Sequence, residues 1–134
     1  MIVVALVPAT FLSAHPDDPK LKDRQLAVRA NAYRSDINHG SARSLGFESE
    51  NVQLKSWLPL NELGSPTNGN DCWGYVSPSG REYALMGTSS GTVIVEITNP
   101  GNAQVIASLS GPNSLWRDIK TYGNYMYAVS EGGG

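Results

Sequence analysis

The motif in the chain that most suggests chemistry is Gly87-Thr88-Ser89-Ser90-Gly91, which has the G-x-S-x-G spacing of a serine nucleophile. In such sites a sharp turn joins a strand to a helix, so that the serine hydroxyl stands exposed above a sheet. Here residues 92–97 are rich in β-branched side chains and favour a second strand. The histidines, His15 and His39, both lie far upstream and supply no nearby base. We therefore predict that Ser89 lies in a hairpin turn.

Four charged residues remain as candidates for a functional site: Asp71, Arg117, Asp118 and Glu131. Paired carboxylates can act as general acid and base or can bind Ca²⁺. Carboxylates also cap turns and pair with arginine, and Ca²⁺ takes about six to eight oxygen ligands, more than these residues supply. We assign the four as candidate ligand-binding residues and predict no catalytic residue, metal site or cofactor, with Ca²⁺ as an unsupported alternative.

Composition indicates one globular domain, since 40% of the 134 residues are apolar and 16% are charged. Ten basic and 12 acidic side chains give a net charge of -2, so no general attraction to nucleic acid or anionic membrane is expected. The single cysteine, Cys72, excludes an intramolecular disulfide and lacks the neighbours of a zinc site. We interpret it as a small buried apolar residue.

The elements that would position these residues are short apolar runs separated by turn residues. The predicted strands are residues 71–76, 81–88, 92–98 and 103–109. The intervening stretches contain Ser, Pro, Gly and Asn, which suit tight turns because Pro fixes φ and Gly accepts positive φ. Four consecutive antiparallel strands follow from this pattern.

The pattern then restarts. Trp73 and Trp116 are 43 residues apart, and Tyr83-Ala84-Leu85 recurs 44 residues later as Tyr127-Ala128-Val129. This period matches a β-propeller blade, which repeats at about 40 to 50 residues, whereas a β-sandwich has no reason to repeat these residues in register. We predict an all-β chain with about one and a half four-stranded antiparallel blades. Blade 1 spans residues 70–110, and residues 114–134 begin blade 2 with strands at 115–121 and 125–130.

The first 14 residues resemble a signal peptide. Residues 2–12 form an apolar run shorter than the roughly 20 residues that span a bilayer, and Ser13-Ala14 are small residues suited to a cleavage site. No Lys or Arg precedes the run, so either the true start lies upstream or the signal is weak; a buried strand is the alternative. We expect export to the cell surface or the extracellular space, with no transmembrane span in this fragment and a possible surface anchor in the missing C-terminus.

Residues 15–51 are polar, and we expect a loosely packed leader with a short helix at about 21–33. Residues 52–58 alternate between apolar and polar types, which predicts a strand. In a propeller, an N-terminal strand of this kind often completes the last blade, so residues 52–58 are a candidate closure strand.

Thr92-Val93-Ile94-Val95-Glu96 resembles the core of the LVIVD repeat of secreted bacterial β-propellers, with Thr in place of Leu and Glu in place of Asp. From about residue 54 to 134 the chain also resembles the N-terminal half of the choice-of-anchor B family. The motifs that carry this resemblance are Ser56-Trp57-Leu58-Pro59-Leu60, Asn70-Asp71-Cys72-Trp73-Gly74, Gly80-Arg81-Glu82-Tyr83-Ala84-Leu85 and Ser114-Leu115-Trp116-Arg117-Asp118-Ile119-Lys120.

This resemblance implies an exported protein that is attached to the cell surface by a C-terminal tail, and it implies no particular activity. It also implies that the chain is an N-terminal fragment, because a propeller needs at least about four blades to close. We expect a binding or scaffold module whose partner is an extracellular protein or glycan. The alternative is a propeller enzyme acting on glycans, with most catalytic residues in the missing blades.

Loops between blades, and loops that join second to third strands, emerge on one face of a propeller. In this chain they are residues 65–70, 89–91, 111–114 and 132–134, which are small and almost uncharged. We expect this face to bind the partner.

Overall fold

The computed structural model describes residues 31–37 and 50–132. The strands of this part are β1 (Tyr33–Arg34), β2 (Ser56–Trp57), β3 (Gly69–Val76), β4 (Glu82–Thr88), β5 (Gly91–Glu96), β6 (Gln104–Ser110), β7 (Arg117–Tyr122) and β8 (Tyr125–Ser130). They form three antiparallel sheets, which confirms the all-β prediction, and the described sheets do not close on themselves. The predicted signal peptide and most of the predicted helix lie outside the described residues.

The sheet formed by β3, β4, β5 and β6 in sequential order, here the central sheet, matches the four strands predicted from the sequence to within about two residues. Its turns follow local chemistry. Ser77 closes the first turn, since its N–H donates to the Arg81 carbonyl at 2.8 Å. Between β5 and β6, Pro100–Asn102 forms a single 3₁₀ turn that Asn99 caps by accepting from the Gly101 N–H at 3.1 Å.

One face of the central sheet carries the apolar core. Val93 and Val95 of β5 are buried there together with Ala103. The covering layer is the irregular segment between β2 and β3, residues 58–68. It contributes Leu63, which is only 6% exposed, and the partly buried Leu58. The segment turns tightly, with the Leu63 N–H donating to the Leu60 carbonyl at 3.1 Å. The leucines of this segment therefore cover the core face of the central sheet, a role that a second sheet has in a β-sandwich.

The strand predicted at 52–58 is shorter in the structure, while its predicted role in closing a propeller stays a prediction. Only Ser56–Trp57 forms a strand, and it pairs with Tyr33–Arg34. Val52 is 72% exposed, so the alternation at its end of the segment does not reflect a buried face. A strand extends only as far as it has a partner, and β1 offers just two residues.

The leader is not loosely packed at residues 33–36. Tyr33 is buried and lies in β1, so the predicted helix does not reach it. The Arg34 Nε donates to the Ala103 carbonyl at 2.7 Å, and the Asp36 carboxylate accepts from the Asn99 side-chain amide at 2.7 Å. These contacts attach the leader to the connection between β5 and β6.

The second sheet, here the hairpin sheet, consists of β7 and β8 joined by Gly123-Asn124. Its strands agree with the predicted ones at 115–121 and 125–130 to within about two residues. It packs on the face of the central sheet opposite the core, with β7 over β3 and β4. Ile119 of β7 is fully buried in this contact. The backbones approach closely, since a Cβ on Gly87 would lie 2.6 Å from the Arg117 carbonyl oxygen.

The recurrence of tyrosine and alanine corresponds to equivalent strands, but the tryptophans are not equivalent. Tyr83 and Tyr127 both lie in the second strand of a hairpin. Trp73 lies opposite Leu85, whereas Trp116 precedes β7 and lies outside its ladder. Cys72 is exposed rather than buried, which corrects a further expectation.

Leu63→Ala tests whether the irregular segment holds the core face together. We expect a loss of about 2 to 4 kcal/mol in the free energy of unfolding, because the substitution leaves a cavity over the core face. The matched control is Leu109→Ala, since Leu109 is 49% exposed, and its loss should be under about 1 kcal/mol. Urea unfolding followed by tryptophan fluorescence measures both, and equal losses would contradict this account of the core.

Candidate functional site

The four predicted site residues do not form one cluster. Asp71 lies on β3 at the contact with β7, and Arg117 lies at the start of β7, where it is buried. Asp118 follows Arg117 but belongs to the exposed outer face of the hairpin sheet. Glu131 is exposed just after β8. Each position therefore has to be judged by its own contacts.

Asp71 joins the two sheets. One carboxylate oxygen, Oδ2, accepts from the Ile119 backbone N–H at 2.9 Å and from Lys120 Nζ at 3.2 Å. The Ile119 N–H, followed by Lys120, holds the pKa of the Asp71 carboxyl below its ordinary value, because both contacts favour the ionised form. The carboxylate is therefore occupied by a contact between strands.

Lys120, which the sequence did not single out, completes this junction. Its ammonium lies 4.3 Å from the Trp73 ring centroid and donates to the Ile119 carbonyl at 2.8 Å. The Trp73 indole N–H donates in turn to Thr121 Oγ1 at 3.1 Å. The sequence feature that could have predicted this ion pair is the opposite charge of Asp71 and Lys120, which lie on the first strands of successive hairpins. These contacts fix the position of β7 against β3.

Arg117 is a structural cation. It is 5% exposed, and its guanidinium donates to the Thr88 carbonyl at 3.1 Å and to the Pro112 carbonyl at 2.6 Å. It thus joins the end of β4 to the loop that precedes β7. Because Arg117 is buried and two of its nitrogens donate to these carbonyls, it supports the surrounding loops and is not placed to contact a ligand directly.

Asp118 and Glu131 are the two candidates left accessible. Asp118 lies opposite Val129 on the outer face of the hairpin sheet. Both side chains are exposed, and neither makes an ion pair or hydrogen bond with another residue of the described part. They could contact a ligand, although at separate places.

Three of the predicted partner-binding loops converge on Ser89. Its N–H donates to the Asn68 carbonyl at 3.0 Å, and its carbonyl accepts from the Ser114 N–H at 3.0 Å. The Gly111 N–H donates to the neighbouring Ser90 carbonyl at 2.9 Å. Residues 65–70, 89–91 and 111–114 therefore form one continuous surface at the end of the central sheet, here called the loop face.

The Ser89 hydroxyl serves this packing. Its Oγ accepts from both the N–H and the hydroxyl of Thr67 at 2.9 Å. Ser89 lies in the turn between β4 and β5, with no helix after it, as the sequence predicted. The hydroxyl is therefore held inside the loop face and does not have the position of an exposed nucleophile.

The exposed part of the loop face is polar and uncharged, with Thr67, Ser90 and Asn113 at the surface. Gly132 lies against it, because a Cβ there would be 2.4 Å from the Asn113 carbonyl oxygen. This approach brings Glu131 to the rim of the loop face. Residues 133–134 of the fourth predicted loop lie outside the described residues.

No group of three or more His, Cys, Asp or Glu side chains with metal-binding geometry occurs within residues 31–37 and 50–132. That same part has no helix long and apolar enough to cross a membrane. Comparisons with models of protein families, with curated proteins and with solved structures found no match to this chain.

Asp71→Asn tests the junction between the sheets through its pH dependence. The pKa of Asp71 is lowered in the folded chain, so its stabilising contribution is complete above the unfolded value of about 3.9 and is lost as the pH falls through the folded pKa. The wild type should therefore be more stable than Asp71→Asn by a constant amount between pH 5 and 7, and by progressively less below about pH 4.

Urea unfolding at a series of pH values measures this difference. Asp118→Asn is the matched control, since the Asp118 carboxylate has no partner in the described part of the chain. A stability difference for Asp71→Asn that persists unchanged at acidic pH would contradict the assigned role of the carboxylate.

Proposed function

We propose that this chain is part of an exported β-propeller of the LVIVD-repeat, choice-of-anchor B kind, which acts outside the cell as a binding or scaffold module. In this proposal the central sheet is one blade and the hairpin sheet is the beginning of the next. The partner is an extracellular protein or glycan, which is bound at the loop face.

The packing of the two sheets supports the propeller. A propeller places the first strands of successive blades side by side, and here β7 lies against β3 with the Asp71 carboxylate accepting from the Ile119 N–H. The central sheet is a four-stranded antiparallel meander in sequential order, as in a blade. The loops before β3, between β4 and β5 and before β7 also gather at one end of the sheets.

The observation that carries the binding function is the convergence of three loops on Ser89. Binding residues are often found on loops that a rigid scaffold positions, and this surface rests on two sheets joined by the buried Arg117. Its exposed side chains, among them Ser90 and Asn113, are small hydrogen-bonding groups without charge. That chemistry suits a neutral glycan or a peptide backbone better than a charged ligand.

Binding arrays test the function. The full chain, fluorescently labelled, should bind a subset of neutral glycans or extracellular peptides without changing their mass. Ser90→Lys places a long charged side chain on the loop face and should lower binding at least tenfold. Ser79→Lys is the matched control, because Ser79 is an exposed turn residue in the connection between β3 and β4. Equal binding by both variants would exclude the loop face, and turnover of a bound glycan would favour the enzyme.

Export makes a separate prediction. In a bacterial host that secretes proteins, the chain should be cleaved after Ala14, so that mass spectrometry of the exported protein finds His15 at the mature N-terminus. Ala14→Arg should block processing, because the cleavage site requires a small residue. Recovery of the unprocessed chain inside the cell, with none outside, would overturn the export proposal.

A further inference from the structure

The chain contains a single Asn-Gly dipeptide, Asn68-Gly69, in the first loop of the loop face. Such a dipeptide often forms a two-residue hairpin turn, but here Asn68 ends the loop and Gly69 begins β3. Because glycine has no side chain, its backbone nitrogen can approach the side-chain amide of the preceding asparagine closely. The pair is therefore a candidate for a reaction within its own backbone.

The reaction is an attack by the Gly69 nitrogen on the Asn68 side chain. A bond forms between this nitrogen and Asn68 Cγ, the nitrogen gives up its proton, and the side-chain nitrogen leaves as ammonia. Water then opens the succinimide ring at either of its carbonyl carbons, which yields aspartate or isoaspartate. Water is the sole co-reactant. The reaction thus requires an unbonded side-chain amide and an unbonded glycine N–H.

The side-chain amide of Asn68 meets the first requirement. Asn68 is half-buried, and its amide makes no hydrogen bond with any other residue of the described part. Its backbone carbonyl accepts from the Ser89 N–H at 3.0 Å. Its own N–H lies 3.4 Å from Ser89 Oγ, which is beyond the usual range for such a bond. The side chain is therefore free to turn toward Gly69.

The Gly69 N–H meets the second requirement. Gly69 lies opposite Thr88, and the bond from the Ser89 N–H to the Asn68 carbonyl flanks this pair. In an antiparallel ladder a flanking bond of this kind marks a non-hydrogen-bonded pair, so the Gly69 N–H points away from β4. β3 is an edge strand of the central sheet, with no further strand on that side among the described residues. The attacking nitrogen is therefore not held by the sheet.

Other asparagines lack this combination. Asn113 is exposed on the loop face, but the N–H of the next residue, Ser114, donates to the Ser89 carbonyl at 3.0 Å. After Asn102, the Ala103 N–H donates to a side-chain hydroxyl at 3.3 Å. In both cases the following residue also carries a side chain that hinders the approach. The fold thus restrains the attacking nitrogen at these asparagines and leaves it free at Asn68.

We propose that Asn68-Gly69 is a site of spontaneous deamidation, which gives the loop face a negative charge. The surface of this face is otherwise polar and uncharged, with Thr67, Ser90 and Asn113 exposed. Isoaspartate also inserts a main-chain carbon just before β3, which displaces the carbonyl that accepts from the Ser89 N–H. Both products therefore alter the charge of the loop face, and isoaspartate alters its shape as well.

The consequence for binding rests on the function proposed for the loop face, whereas the chemistry does not. A carboxylate at position 68 must lose water when a neutral ligand covers it, and the loss costs free energy unless a cation pairs with it. The reaction needs no enzyme, so the altered form accumulates with the age of the molecule. A chain that acts outside the cell would therefore lose its affinity for an uncharged ligand with time.

Peptide mapping by mass spectrometry tests the site after incubation of the full chain at neutral and at mildly alkaline pH. Conversion of amide to acid should be at least tenfold faster at Asn68 than at Asn113. It should also be faster at the higher pH, because the Gly69 nitrogen must lose its proton to attack. Asn68→Gln should abolish conversion at this position, since the longer side chain closes a ring less readily. Absence of conversion at Asn68, or equal rates at both asparagines, would overturn the proposal.

A parallel incubation in urea separates the effect of the fold from that of the dipeptide. Unfolding releases the Ser114 N–H from the Ser89 carbonyl, whereas the Gly69 N–H has no bond in the sheet to lose. Conversion at Asn113 should therefore accelerate by a larger factor than conversion at Asn68. The same acceleration at both positions would contradict the structural basis assigned here.

Binding of fresh and aged protein to the glycan and peptide arrays tests the consequence. Ageing should weaken binding by the wild type, in proportion to the fraction converted, and Asn68→Asp should bind as the fully converted chain does. Fresh and aged Asn68→Gln should bind alike, because this variant does not convert. Unchanged binding by converted wild type would overturn the effect on the loop face. If fresh wild type binds nothing, the proposed function fails, while the mass measurements still decide the chemistry.

Discussion

The packing of β7 on β3 and β4 is the contact on which the rest of the described structure depends. A two-stranded hairpin is at best marginally stable by itself, so β7 and β8 require the face that the central sheet provides. Ile119 is fully buried there, and its N–H needs an acceptor, which the Asp71 carboxylate supplies at 2.9 Å. Loss of this contact would release the hairpin and also the loop that Arg117 holds through Pro112.

The loop face follows from the same packing. Arg117 bonds to the carbonyls of Thr88 and Pro112, and Ser89, next to Thr88, gathers the loops before β3 and β7. Ser89, whose surrounding sequence resembles that of a nucleophile, instead makes hydrogen bonds to both of these loops. Its hydroxyl accepts from Thr67 at the same time as its backbone bonds to two other loops, which leaves a polar surface shaped by backbone geometry.

The sequence predicted what local chemistry determines. The strands of the central sheet and the hairpin sheet were placed well because proline, glycine, serine and asparagine mark the turns between them. Non-local pairing was missed. The attachment of Arg34 to Ala103 and the two-residue length of β2 depend on partners far away in the chain. The roles of Arg117 and Lys120 likewise became visible only when distant strands were brought together, because the type of a charged residue does not reveal whether it is buried.

The attachment of the leader has a consequence for the order of folding. The hydrogen bond from Arg34 to Ala103 spans 69 positions, and that from Asn99 to Asp36 spans 63. Such long loops must close before these contacts form, and closure carries an entropic cost that local hairpins avoid. During synthesis, residues 33–36 emerge long before Asn99 and Ala103 exist. We therefore expect the central sheet to form first and residues 33–36 to pack on the connection between β5 and β6 afterwards.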